Sequence, residues 1–73
     1  MRCDYKDDFK VEYSGGSLHI TKGSDVNIVV KERQITANYR ACFDSAVQHN
    51  SCRELRVAAR DLANNTDRAF RID

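Results

Sequence analysis

From Phe9 to Lys31 apolar and polar residues alternate with a period of two, the spacing of a half-buried strand. Phe9, Val11 and Tyr13 point one way, and Lys10 and Glu12 the other. Leu18 and Ile20 alternate with His19 and Thr21 in the same manner. Val26 to Lys31 forms a third run, rich in β-branched residues. Between the first two runs stand Gly15 and Gly16, which tolerate the positive φ of a two-residue hairpin. That loop sets Tyr13 opposite Leu18 and Val11 opposite Ile20, so one face collects the apolar side chains. The second turn contains Gly23, Ser24 and Asp25. A two-residue loop there would throw Val26, Ile28 and Val30 onto the polar side, because a slip of one residue inverts a strand. A three-residue loop sets Ile20 opposite Ile28 and Leu18 opposite Val30, and the hydrophobic pattern selects it.

Beyond Lys31 the period changes to one near 3.6. Ile35, Tyr39, Cys42, Phe43, Ala46 and Val47 recur at helical spacing, with Thr36 placed to cap the first turn. Asn50 interrupts the pattern. Ser51 and Glu54 then have capping-box spacing, in which Ser51 accepts from the Glu54 amide and the Glu54 carboxylate returns to the Ser51 amide. Leu55, Ala58, Ala59 and Leu62 mark the apolar stripe of a second helix ending near Asn64 and Asn65. The chain has no proline to break either helix. Arg68 to Asp73 reads as a short C-terminal strand, at the sheet edge or on a partner chain, or as a helical turn. The expected fold is thus one α+β domain over residues 1–73: a three-stranded antiparallel sheet, β-β-β, followed by two α-helices. Both helices pack on the face of Phe9, Val11, Leu18, Ile20, Val26, Ile28 and Val30.

The chain has 73 residues, enough for one small core. A deep substrate pocket would consume much of that core, whereas binding across a surface would not. Twelve Lys and Arg balance eleven Asp and Glu, interleaved throughout, which describes a solvated surface rather than the strongly basic face of a dedicated nucleic-acid binder. No apolar run approaches the ~20 residues of a membrane span. Met1 to Asp8 has no hydrophobic segment of a secretory signal. Three cysteines, Cys3, Cys42 and Cys52, form a poor disulfide framework. Free thiols in a cytoplasmic protein are the expectation.

Candidate chemistry is sparse. His19 faces Glu12 across the polar sheet face, with no Ser or Cys predicted beside it, so an exposed ion pair is expected rather than an activated nucleophile. Cys52 falls at the first position of the second helix, where unpaired amides favour a thiolate, and His49 lies three residues earlier. An ordinary cysteine at a helix junction is the simpler reading. Cys42, His49, Cys52 and Cys3 are zinc-ligand types, but Cys42 and His49 lie seven residues apart on one helix, about 10 Å at the helical rise, too far to share one ion. The glycines sit in hairpin turns and precede no helix, so no phosphate loop is present. No enzyme, metal or cofactor is expected.

Two surfaces remain. The open sheet face carries Lys10, Glu12, His19, Thr21, Asn27, Val29 and Lys31, and lacks the aromatics that stack single-stranded bases. The second helix carries Arg53, Arg56 and Arg60 at i, i+3 and i+7, with Arg40, Arg68 and Arg71 adding to the basic character of that half. Arginine recurs in interface hot spots. The leading expectation is a small protein-binding module, an inhibitor or adaptor of a larger protein machine, by analogy with phage and other mobile-element proteins. It would use the second helix, the sheet edge or both, and a homodimer is a further candidate. The alternative is a nucleic-acid-binding regulator using the polar sheet face or the arginine stripe. Clustering of Arg40, Arg53, Arg56 and Arg60 with Lys10 or Lys31 would favour the alternative; interspersed acidic side chains would count against it.

Overall fold

The alternating half of the chain folds as a sheet and the helical half as a pair of helices laid over it. The computed structural model describes residues 1–66. Four strands, β1 (Arg2–Asp4), β2 (Phe9–Ser14), β3 (Ser17–Lys22) and β4 (Val26–Val30), form an antiparallel sheet in the order β1-β2-β3-β4. Tyr13 faces Leu18 and Val11 faces Ile20. Leu18 faces Val30 and Ile20 faces Ile28, so the loop after β3 has the three-residue length that the apolar pattern requires. Gly15 and Gly16 both adopt positive φ, 59° and 82°. A Cβ on Gly16 would meet only the exposed Glu32 side chain, at 3.0 Å, which can swing aside, so it is the positive φ that favours glycine at this turn.

The sheet has a strand more than the alternation reveals. β1 pairs with β2 through Cys3 opposite Val11, and its three residues contain one inward side chain, too few to register as a period. The turn into β2 places Asp7 and Asp8 at φ 63° and 57°, a left-handed geometry that Asp tolerates better than most residues. The expected C-terminal strand or turn lies outside the described residues.

A short 3₁₀ turn (Glu32–Gln34) leads into α1 (Ala37–Gln48), which is followed by α2 (Cys52–Thr66). Thr36 caps α1 by accepting from the Tyr39 amide at 3.4 Å. At the end of α1, Asn50 takes φ 48°, its amide donates to Val47 and the Ser51 amide donates to Ala46. This pair of bonds closes the helix in a Schellman turn. Ser51 Oγ at once caps α2, accepting from the Glu54 amide at 3.2 Å. The reciprocal half of the expected capping box does not form, because the Ser51 amide is already committed to α1. The Glu54 carboxylate turns to His49 instead, 3.1 Å from Nδ1.

The core is built from alternate strand residues, the α2 stripe, Ile35, and Phe43 and Ala46 of α1. Val11, Leu18, Ile20, Phe43, Ala46, Leu55 and Ala59 are fully buried, joined by Cys3, Phe9, Tyr13, Val30, Ile35, Ala58, Leu62 and Ala63. Burying each large aliphatic or aromatic side chain stabilises the fold by about 1.5–3 kcal/mol. Tyr13 stacks on Phe43 with ring centroids 4.9 Å apart, joining β2 to α1. Cys42 and Val47, although part of the α1 periodicity, are exposed.

The cysteine expectation is overturned for two of the three. Cys3 and Cys52 form a disulfide with a Cα–Cα distance of 5.8 Å, tying β1 to the first turn of α2 across 49 residues of sequence. Cys52 is therefore no thiolate. Cys42 remains a free thiol. Among the described residues, no helix is long and apolar enough to cross a membrane.

Candidate functional site

The candidate residues are distributed by the two helices and the sheet into three places. α2 turns its apolar stripe inward, which leaves Arg53, Val57 and Asp61, spaced by four, on the side away from the sheet. α1 runs beside it. Between the two lies a groove of about 500 Å³ floored by Ala41, Cys42, Val57 and Ala58, with Tyr39 at one end. Arg53, Glu54 and Asp61 line it from α2. Val57 is 43% exposed despite its size. Tyr39 is fixed there by Asn65, whose Nδ2 donates to its hydroxyl at 2.5 Å. The groove is apolar along its length and carries both charges on one wall.

Arg56 points to the opposite flank of α2. It borders a hollow of about 620 Å³ with Asp4, Tyr5, Lys6, Asp7, Phe9 and Lys22, at the loop end of the sheet. Tyr5 closes this corner by donating its hydroxyl to the Cys52 carbonyl. Burial raises the Tyr5 pKa, and the nearby Arg56 partly opposes the rise. Arg60 is half-buried between the two flanks. The stripe thus exists as spacing on a helix, but its members serve two different surroundings, each with carboxylates present. Arg40, on α1, lies 3.7 Å from Glu32 and donates to the Glu32 carbonyl at 3.4 Å. Arg68 and Arg71 lie outside the described residues.

On the open sheet face Lys10, Glu12, His19 and Thr21 share a shallow hollow with Arg2. Glu12 and His19 are cross-strand neighbours as the register demands. The expected ion pair gives way to another contact, His19 Nε2 to Asn27 Oδ1 at 2.5 Å, with Asn27 lying diagonally across on β4, two residues from the Val29 that directly faces His19. Lys31 is exposed at the end of β4.

One cluster escaped the sequence reading. Where α1 meets α2, Ser45 Oγ lies 3.4 Å and Glu54 Oε2 3.1 Å from His49 Nδ1. The residue types are those of a hydrolase triad, but the connectivity differs. A relay needs the acid and the nucleophile on opposite ring nitrogens, whereas both contact Nδ1 here. His49 and Glu54 are also exposed, with side chains 60% and 44% accessible. This cluster finishes a helix corner. Among the described residues no group of three or more His, Cys, Asp or Glu is arranged to hold a metal ion.

Comparison with protein-family models, with curated proteins and with solved structures finds no match to this chain.

Proposed function

We propose that the protein is a non-catalytic protein-binding module, an adaptor or inhibitor, whose docking surface is the groove between α1 and α2. The observation that carries this reading is the exposed Val57 set between Arg53 and Asp61 over an apolar floor. An apolar centre ringed by polar and charged groups is the anatomy of a protein interface. The partner best suited to it is an amphipathic helix, with apolar residues over Val57 and Ala58, an acid near Arg53 and a base near Asp61. Eight residues separate Arg53 from Asp61, about 12 Å along α2, so the partner's charges would be two helical turns apart.

A nucleic-acid reading has less behind it. Glu32 accompanies Arg40, Glu54 and Asp61 accompany Arg53, Asp4 and Asp7 accompany Arg56, and Glu12 accompanies Lys10. Among the described residues no face concentrates the positive charge that phosphate binding uses. The Cys3–Cys52 disulfide favours an oxidising compartment over the cytoplasm that the cysteine count first implied.

The test is affinity capture from lysate of the source cell, comparing the native chain with Val57→Asp and Arg53→Glu. A single stoichiometric protein, retained after nuclease treatment and released at least tenfold by each substitution, is expected. Capture abolished by nuclease and indifferent to Val57→Asp would replace this reading with the nucleic-acid one.

A further inference from the structure

Among the described residues, the edge of β4 has the properties of an unfilled strand site. In a two-residue hairpin the residues flanking the loop exchange main-chain bonds, so Ser14 and Ser17 form the bonded pair. Bonding then alternates: along β3 the odd-numbered residues bond β2 and the even-numbered ones bond β4. The Gly23 amide follows this rule, donating across to Asp8. In β4 it is therefore Val26, Ile28 and Val30 that bond β3. Asn27 and Val29 direct their N–H and C=O groups outward, and among the described residues these groups have no partner. Val29 is also the most exposed large apolar side chain of the described chain, at 59%. Val26 and Ile28, which point to the core side, are only half-buried, whereas Leu18 and Ile20 on β3 are fully covered. The strand, Val26-Asn27-Ile28-Val29-Val30, has no bulge, proline or internal charge to protect its edge.

We infer that β4 pairs with β4 of a second copy of this chain, antiparallel about a two-fold axis through Ile28, to make one eight-stranded sheet. The outward bonding of Asn27 and Val29 requires them to be the bonded pairs, and only a few registers satisfy that. Placing Asn27 opposite Val29 of the second copy also sets Asp25 opposite Lys31 of the second copy, and Lys31 opposite its Asp25. Moving the register by two residues either way loses both charge pairs. Asp25 and Lys31 are exposed, and neither forms an ion pair among the described residues. The same axis lays Val26 against Val30 of the second copy on the helix-covered face and joins the two cores. This dimer leaves the groove between α1 and α2 open, so it stands independently of the docking role proposed for that groove.

Sedimentation equilibrium of the disulfide-bonded chain over a range of concentrations tests it, with circular dichroism verifying the fold of each variant. The native chain is expected to show the mass of two chains at high concentration. Val29→Lys, at an exposed site, is expected to raise the dimer dissociation constant a hundredfold or more. Asp25→Lys replaces two attractive pairs by two repulsive ones and should weaken the dimer about tenfold. Lys31→Asp added to Asp25→Lys should recover it. A native chain monomeric at every concentration would overturn the inference. So would a dimer indifferent to Val29→Lys, or one that the double charge reversal fails to recover.

Discussion

At the scale of single residues, the side chains that join layers were harder to read than those that fill them. Val11, Leu18 and Ile20 declare their burial by spacing alone. Tyr5 precedes that alternating region and Tyr13 belongs to it, but their hydroxyls reach groups 47 and 31 residues away, the Cys52 carbonyl and the Asp44 carboxylate. No local pattern encodes such contacts. Both phenols have raised pKa values, through burial in each case, and for Tyr13 also through the negative charge of Asp44. The folded state thus holds the protonated phenol more tightly than the unfolded chain does. Their contribution to stability is complete below about pH 10 and is lost as pH rises through the folded values. Thermal melts between pH 8 and 11.5 should show a decline that begins near pH 10. Tyr5→Phe and Tyr13→Phe together should flatten it, and an unchanged alkaline slope in that double variant would exclude the phenols as its source.

At the scale of elements, strand register was legible because only one loop length after β3 keeps Ile28 on the face of Ile20. β1 was not, since a strand with one inward residue has no period to detect. The helix corner was half legible. Asn50 and Ser51 stood out as an interruption and a cap, but the closure that takes the Ser51 amide for α1 depends on the left-handed turn at Asn50. This corner fixes the angle between α1 and α2 and hence the width of the groove between them. Ser51→Ala removes the oxygen that accepts from Glu54 and should cost about 1 kcal/mol in urea denaturation. Asn50→Val forces a β-branched residue into positive φ and should cost about 1–2 kcal/mol. Asn50→Gly, which suits the same φ, should equal or exceed the native stability. A loss in the glycine variant matching that in the valine variant would show that the Asn50 side chain, not its backbone angle, holds the corner.

At the scale of the whole molecule, the arginine spacing on α2 was legible, but its division between two flanks was not. That division depends on where α1 and the residue 5–8 turn pack, and neither is written into α2. The disulfide is the other long-range feature, and its consequence is the largest. A domain of this length has a stability on the order of 5–10 kcal/mol, and closing a loop of this size contributes about 4 kcal/mol in the chain-entropy account. The bond also anchors β1, which has only three ladder positions of its own, to the start of α2. Thiol titration of the unreduced protein in denaturant should therefore find one reactive cysteine, Cys42, and three after reduction. Reduction, or Cys3→Ser, should lower the melting temperature by about 15–30 °C, whereas Cys42→Ser, at an exposed site, should leave it within a few degrees. Three thiols before reduction would remove the bond and with it the argument for an oxidising compartment. One thiol with an unchanged melting temperature on reduction would mean that packing of Cys3 against the core holds β1 without help. A fold that would lose roughly half its stability with one covalent link needs conditions that keep the link closed, which is the physical ground for the oxidising compartment proposed above.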